Sequence, residues 1–174
     1  MSSEMKRILV IGCSGAGKST LARQLHKRTG LQLIHLDRLF WKPGWEQSDI
    51  AEFRDRCATL CEADEWIMDG SYFSNLSLRL LRADTVFYLD YPTHLCVRRV
   101  LWRIVTGYGR DRPSCAEGCP ERFDWEFMDY IVSFRQKRRD LILDLLELNE
   151  HLTVHRFSHP RELAQFLKQL ESIS

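Results

Sequence analysis

Residues 12 to 20 read Gly12-Cys13-Ser14-Gly15-Ala16-Gly17-Lys18-Ser19-Thr20, and the first eight fit the pattern G-x-x-x-x-G-K-[ST]. That pattern is built for anions. Glycines let the backbone curl so that successive N–H groups point inward, with no Cβ to keep a phosphate away. A following helix adds its unpaired N–H groups and the positive end of its dipole. Lys18 supplies a mobile positive charge for the β- and γ-phosphates, and the Ser19 hydroxyl suits Mg²⁺. The flanks agree with this chemistry. Ile8-Leu9-Val10-Ile11 is a short unbroken apolar run, expected as a buried strand, and Leu21, Ala22 and Leu25 recur at helical spacing. A glycine-rich turn that merely starts a helix would explain the glycines but not Lys18-Ser19 at the required places. The phosphate ligand is expected to be ATP with Mg²⁺, held by Gly12, Ser14, Gly15, Ala16, Gly17, Lys18, Ser19 and Thr20.

Three further predicted strands end in aspartate: 32–37 at Asp37, 65–69 at Asp69 and 85–90 at Asp90. In a parallel sheet all three would face the crevice beyond the strands' carboxyl ends. Asp69, just before Gly70, suits Mg²⁺ together with Ser19. Asp37 suits either proton acceptance from a substrate hydroxyl or metal binding. Each of the three could instead cap the next helix or turn, a role as good as any other for Asp90. Arginines gather at Arg98, Arg99 and Arg103, at Arg110 and Arg112, and at Arg135, Arg138 and Arg139. Guanidinium forks match the charge that spreads over a transferring phosphoryl group, though about half of these side chains are expected on solvated helix faces. In Phe40-Trp41-Lys42-Pro43-Gly44-Trp45 the two tryptophans either stack on a planar ligand or, the favoured expectation, anchor the following helix. Trp66, Trp102 and Trp125 are expected in the core.

The elements that must carry these residues alternate strand with helix. Strands are predicted at 7–11, 32–37, 65–69, 85–90 and 152–157, and helices at 18–29, 48–63, 75–82, 93–106, 124–148 and 160–172. Along 124–148, Phe127, Ile131, Phe134 and Leu141 form an expected core-facing stripe. The alternation implies an α/β fold with a parallel sheet covered on both faces, and no linker or repeat divides the 174 residues, so one domain spanning 1–174 is expected. The net charge of +1 gives no global attraction to nucleic acid or membrane, and direct DNA contact finds no support. With no membrane-spanning run and no signal sequence at the start, a cytoplasmic protein is expected. Of the six cysteines, the pairs Cys57/Cys61 and Cys115/Cys119 have loose zinc spacing, but reduced, unligated thiols are the expectation. Cys13 stands inside the phosphate loop as a site open to oxidation.

The phosphate loop, "HLDRLFWKPGW", "EWIMDGSY", "FYLDYPTHLCVRRVLWR" and "GCPERFDWEFMDYIVSFRQKRR" together resemble the DNA topology modulation proteins, P-loop proteins related to adenylate kinase. The resemblance spans nearly the whole chain in order. It implies a three-layer fold with a five-stranded parallel sheet ordered 2-3-1-4-5, a substrate-covering segment at about 38–63 and a short lid at about 107–123. It implies that Asp69 helps hold Mg²⁺, that Arg99 packs over an adenine and that Arg103 is a phosphate-binding arginine at the base of the lid. It also implies that Arg135, Arg138 and Arg139 lie near the arginines that clamp the transferred group. The loop Phe157-Ser158-His159-Pro160 would read the adenine edge, with His159 in the cofactor site. The chain departs from adenylate kinases at Ser71-Tyr72, where those have proline-arginine, and it lacks their monophosphate pocket. The implied activity is γ-phosphoryl transfer from ATP, with Lys18, Asp37, Arg103, Arg135 and Arg138 as the catalytic set. The acceptor is an unidentified small molecule or nucleotide near Asp37, Trp41 and Arg54. The other reading is a nucleotide-binding regulator with slow or no turnover. Oligomeric state and preference for ATP over GTP stay open.

Overall fold

A computed structural model describes residues 5–171 of the chain. The first strand, β1 (Arg7–Gly12), runs into the phosphate loop and then α1 (Lys18–Thr29). Next come β2 (Leu33–His35), the short helix α2 (Leu36–Phe40) and a small hairpin of β3 (Trp41–Lys42) and β4 (Glu46–Gln47). Helix α3 (Ile50–Cys61), strand β5 (Trp66–Asp69), helix α4 (Leu76–Arg82) and strand β6 (Thr85–Leu89) follow. Two long helices, α5 (Thr93–Gly107) and α6 (Trp125–Glu147), precede β7 (Thr153–Phe157) and α7 (Pro160–Glu171).

The main sheet has the order β2-β5-β1-β6-β7 with every pair parallel. Counting its five strands along the chain, that is 2-3-1-4-5, the order the resemblance implied. The apolar runs are unbroken because β5 and β6 are buried at every position and β1 at all but its first residue. The edge strand β7 is buried only at Phe157. Chain order reverses at β1, which has β5 on one side and β6 on the other. The crevice at the carboxyl end of β1 is therefore the topological switch point where α/β folds place ligands, and the phosphate loop leaves the sheet there.

Three expectations need correction. The second strand does not reach Asp37: β2 stops at His35, and Leu36–Phe40 is helical. Leu36 is fully buried, with Leu39 and Phe40 packed on the core, and that spacing of three and four residues belongs to a helix. Trp66 is fully buried as expected, but Trp102 is 70% and Trp125 79% exposed. Helix α5 buries its Cys96–Val100–Ile104 face, and Trp102 points away from it; Trp125 opens α6 and packs edge-on against Phe123. On α6 the stripe passes through Met128, Ile131, Phe134, Ile142 and Leu146, and Leu141 is exposed, because a straight helix drifts by about 20° per seven residues. Asp90 caps nothing, since the position before α5 is Pro92 without a side-chain cap.

Candidate functional site

Glycine is required in the phosphate loop for two different reasons. At Gly15 (φ 83°) a Cβ would lie 2.5 Å from the Cys96 carbonyl oxygen and 2.8 Å from Val100 Cγ2, so this residue lets the loop pack against α5. At Gly17 (φ 100°) the nearest atom to a Cβ is Arg99 Nη1 at 3.7 Å, so the space is open and the left-handed backbone is what demands glycine. Gly17 is the residue before α1, and its carbonyl accepts the Thr20 and Leu21 amides at 3.1 and 3.0 Å. Lys18 Nζ donates to the Cys13 carbonyl at 3.1 Å, folding over its own loop. Ser14, Ala16 and Ser19 lie along the same turn, and Thr20 is exposed. The Ser71 hydroxyl brackets Gly12: it accepts the Gly12 amide at 2.9 Å and donates to the Gly12 carbonyl at 2.8 Å. Cys13 Sγ donates to the Ile131 carbonyl at 3.8 Å. The neighbouring Cys96 thiol and burial raise the Cys13 pKa, whereas Cys13 and then the charges of Lys18, Arg99 and Arg135 lower that of Cys96 against its burial.

Asp69 ends β5, in register with Val10 of β1 and His35 of β2. Its Oδ2 lies 2.8 Å from His35 Nδ1, while its Oδ1 is buried without a hydrogen-bond partner among the described residues. Asp37 belongs to another cluster. Its Oδ1 accepts the Tyr72 hydroxyl at 2.7 Å, and its Oδ2 lies 3.7 Å from both Cys115 Sγ and Arg112 Nη2. Burial first, and then the neighbouring Asp37 charge, raise the Tyr72 pKa, so Tyr72 stays a donor. Burial, opposed by Arg112, pushes the Cys115 thiol up to about 12.

The arginines divide between loop, carboxylates and an aromatic face. Arg99 Nη1 donates to the Ala16 carbonyl at 3.0 Å, and its guanidinium lies 5.7 Å from the Tyr91 ring centroid. Arg103 pairs with Glu121 at 2.7 Å, and Arg112 shares the same carboxylate at 3.1 Å. Arg135 lies 3.8 Å from Asp90, whose buried carboxylate also takes Arg139 at 3.0 Å and Arg156 at 2.6 Å. Arg138 stacks 4.7 Å from the Phe73 ring and, with Tyr130 and Ser133, lines an open groove of about 190 Å³ along α6. His159 is exposed in the turn before α7, accepting the Arg161 amide at 3.2 Å. Arg54 is exposed on α3. Thus the structure brings Arg99 onto the phosphate loop but commits Arg103 to Glu121 and Arg135 to Asp90.

The connection between α5 and α6 is tied to the β3–β4 hairpin. Trp45 Nε1 donates to the Pro120 carbonyl at 2.9 Å, the Gly44 amide donates to the Gly118 carbonyl at 2.7 Å, and Cys119 Sγ lies 3.2 Å from the Lys42 carbonyl. Trp45 holds φ 65°, a left-handed conformation unusual for a bulky residue. The tryptophans therefore do not anchor α3. Phe40 does, at 5.1 Å from Phe53, and Trp45 pins the α5–α6 connection instead. All six cysteines are free thiols, and among the described residues no three His, Cys, Asp or Glu side chains are placed together to hold a metal.

Four site residues escaped the sequence reading: His35, Ser71, Tyr72 and Arg79. Arg79 is fully buried and donates to Asn75 Oδ1 at 2.9 Å, to the Gly70 carbonyl at 2.8 Å and to the Tyr72 carbonyl at 2.8 Å. It thereby shapes the loop that follows Asp69 and carries Ser71 and Tyr72. Ser71-Tyr72 stood out as a departure from adenylate kinases, which was a usable signal. A lone histidine at the end of a strand and an arginine in a leucine-rich helix gave none.

A protein-family model described as an AAA domain matches residues 8–69, the span from β1 to the end of β5. Among solved structures, the shikimate kinase from Acinetobacter baumannii in complex with shikimate is similar at 19% identity, with 95% of this chain and 92% of that chain covered and a TM-score of 0.61. The shikimate kinase from Bacteroides thetaiotaomicron is similar at 18% identity, with 98% of each chain covered and a TM-score of 0.58. No curated protein matches the chain. The chain thus has the α/β fold seen in these shikimate kinases, with the phosphate-loop motif of residues 12–19 at its switch point. Among the described residues no helix is long and apolar enough to cross a membrane.

Proposed function

We propose that the chain binds ATP·Mg²⁺ and transfers the γ-phosphoryl group to a hydroxyl of a small molecule or nucleotide. The observation that carries this reading is the phosphate loop at the switch point, with Asp69 on the adjacent strand keeping one buried oxygen unpartnered. In this reading the loop amides of residues 12–20 hold the phosphates, and Lys18 leaves the Cys13 carbonyl for the β- and γ-phosphates. Hard oxygen donors suit Mg²⁺, so Ser19 and Asp69 fit it; the ion would neutralise charge on the phosphates. Asp37 accepts the acceptor's proton once Tyr72 and Arg112 are displaced from it. Arg99 and the His159 turn face the nucleotide base, and Arg103, Arg135 and Arg138 stabilise the transferred charge after leaving their present partners. Residues 107–123 act as a lid over one domain, with 38–63 covering the acceptor, and closure excludes water.

A second reading is a nucleotide-binding regulator with slow turnover, in line with the resemblance to DNA topology modulation proteins. It is favoured by the contacts that already occupy Asp37 and Arg103 and tie the α5–α6 connection to the hairpin. A screen of nucleosides, nucleotides and small metabolites for ATP-dependent phosphorylation, read by mass, separates the two. Acceptor-dependent ADP formation supports the kinase. Slow hydrolysis indifferent to every acceptor supports the regulator.

A further inference from the structure

We propose that His35 is the positioning residue that aims Asp69 at the metal. This rests on the reading of Asp69 as a Mg²⁺ ligand. Parallel register sets His35 directly beside Asp69, and paired residues of adjacent parallel strands project from the same face. The side chains are 9% and 5% exposed, and Nδ1 and Oδ2 are 2.8 Å apart. A carboxylate has no proton to give, so His35 Nδ1–H donates, and this fixes the imidazole tautomer. The bond also breaks the equivalence of the two carboxylate oxygens. A terminal carboxylate torsion is broad and nearly two-fold, so an unheld Asp69 would rotate freely. Held by His35, it spends Oδ2 and keeps Oδ1, which is buried and has no partner.

The same bookkeeping separates the two candidate carboxylates. Asp37 has both oxygens engaged, by Tyr72 on one side and by Arg112 and Cys115 on the other. Asp69 alone of the pair keeps an oxygen for a cation. Mg²⁺ prefers oxygen to imidazole nitrogen, so His35 stays behind the carboxylate.

The test is calorimetric titration of ADP into the protein with Mg²⁺ and again in EDTA, which reads the metal-dependent part of affinity without turnover. His35→Ala loses about tenfold of the Mg²⁺-dependent tightening and keeps its affinity in EDTA, as expected when the partner of a ligating carboxylate is removed. His35→Asn, whose amide can donate in place of Nδ1, keeps most of the tightening. If the alanine variant does not fold, His35→Leu fills the space without a donor and should show the same loss. Undiminished Mg²⁺ dependence in the donor-less variant overturns the proposal, as does an asparagine variant that falls as far as alanine. Asp69→Asn separates the two levels of failure. Weakened Mg²⁺ dependence there, with none in His35→Ala, overturns only the role of His35; undiminished dependence in Asp69→Asn overturns the metal role itself.

Discussion

Replacing Arg79 by methionine should cost about 2–4 kcal/mol of stability, which follows from what the guanidinium holds. Arg79 is fully buried and has no carboxylate partner among the described residues; its three bonds go to Asn75 Oδ1 and to the carbonyls of Gly70 and Tyr72. Burial pulls its pKa down to about 10, so it remains charged at neutral pH. Methionine fills similar volume but leaves three acceptors unpaired, two of them buried and one part-buried, at ~1–3 kcal/mol each. Against that sum stands the cost of burying a charge, several kcal/mol, which vanishes with the guanidinium. At mid-range the lost bonds amount to about 6 kcal/mol and the relieved charge to about 3, so the net of about 2–4 kcal/mol is a large share of the ~5–15 kcal/mol that holds a typical domain. Lysine should rescue little, because a compact ammonium cannot span three acceptors arranged around a planar fork. Urea unfolding of wild type, Arg79→Met and Arg79→Lys measures this, with a lower midpoint and an unchanged slope. A methionine variant within ~0.5 kcal/mol of wild type would mean that the guanidinium does not hold this loop, since effects that small belong to surface positions.

Glu121→Gln removes the carboxylate shared by Arg103 and Arg112. Hydrogen-exchange mass spectrometry should then show faster exchange across 107–123 with helix α6 still protected; an unchanged rate would mean that the hairpin contacts alone hold this segment. His155 packs 5.1 Å from Phe87 and 4.6 Å from Phe166, and burial lowers its pKa from 6.5. Below pH 6.5 the unfolded chain therefore binds the extra proton first, so stability is full above that pH and falls as pH drops toward the folded value. His155→Phe should flatten this acid loss in thermal melts; parallel curves for variant and wild type would contradict the assignment.

The sheet was legible because its central strands are buried on both faces and so appear as unbroken apolar runs, and because helical periodicity separates them. The phosphate loop was legible because its glycines, lysine and serine must lie at fixed offsets. Elements that serve contacts distant in sequence were harder to read. Leu36–Phe40 spans little more than one helical turn, so its three-and-four spacing never repeats and the apparent strand ran on into it. Trp102 and Trp125 looked like core by type, yet which face of α5 is buried depends on where α6 and the phosphate loop lie. The arginines show the same limit. Arg135 and Arg139 take Asp90, Arg103 takes Glu121 and Arg79 takes backbone carbonyls, and none of these partners follows from charge pattern along the chain. Pairing of His35 with Asp69 and of Tyr72 with Asp37 spans 34 and 35 residues and is set by strand register and the loop after β5.

In the proposed function residues 12–20 bind ATP·Mg²⁺ through Lys18. Lys18 donates only to the loop's own Cys13 carbonyl in the structure, so Lys18→Ala should leave the fold intact. Isothermal titration of ATP·Mg²⁺ into wild type and Lys18→Ala tests the claim directly. Saturable binding by wild type and a loss of roughly 1.5–3 kcal/mol in the variant, about ten- to a hundredfold in affinity, is the predicted result. Equal affinity in a folded Lys18→Ala protein, or no binding by wild type, would contradict it.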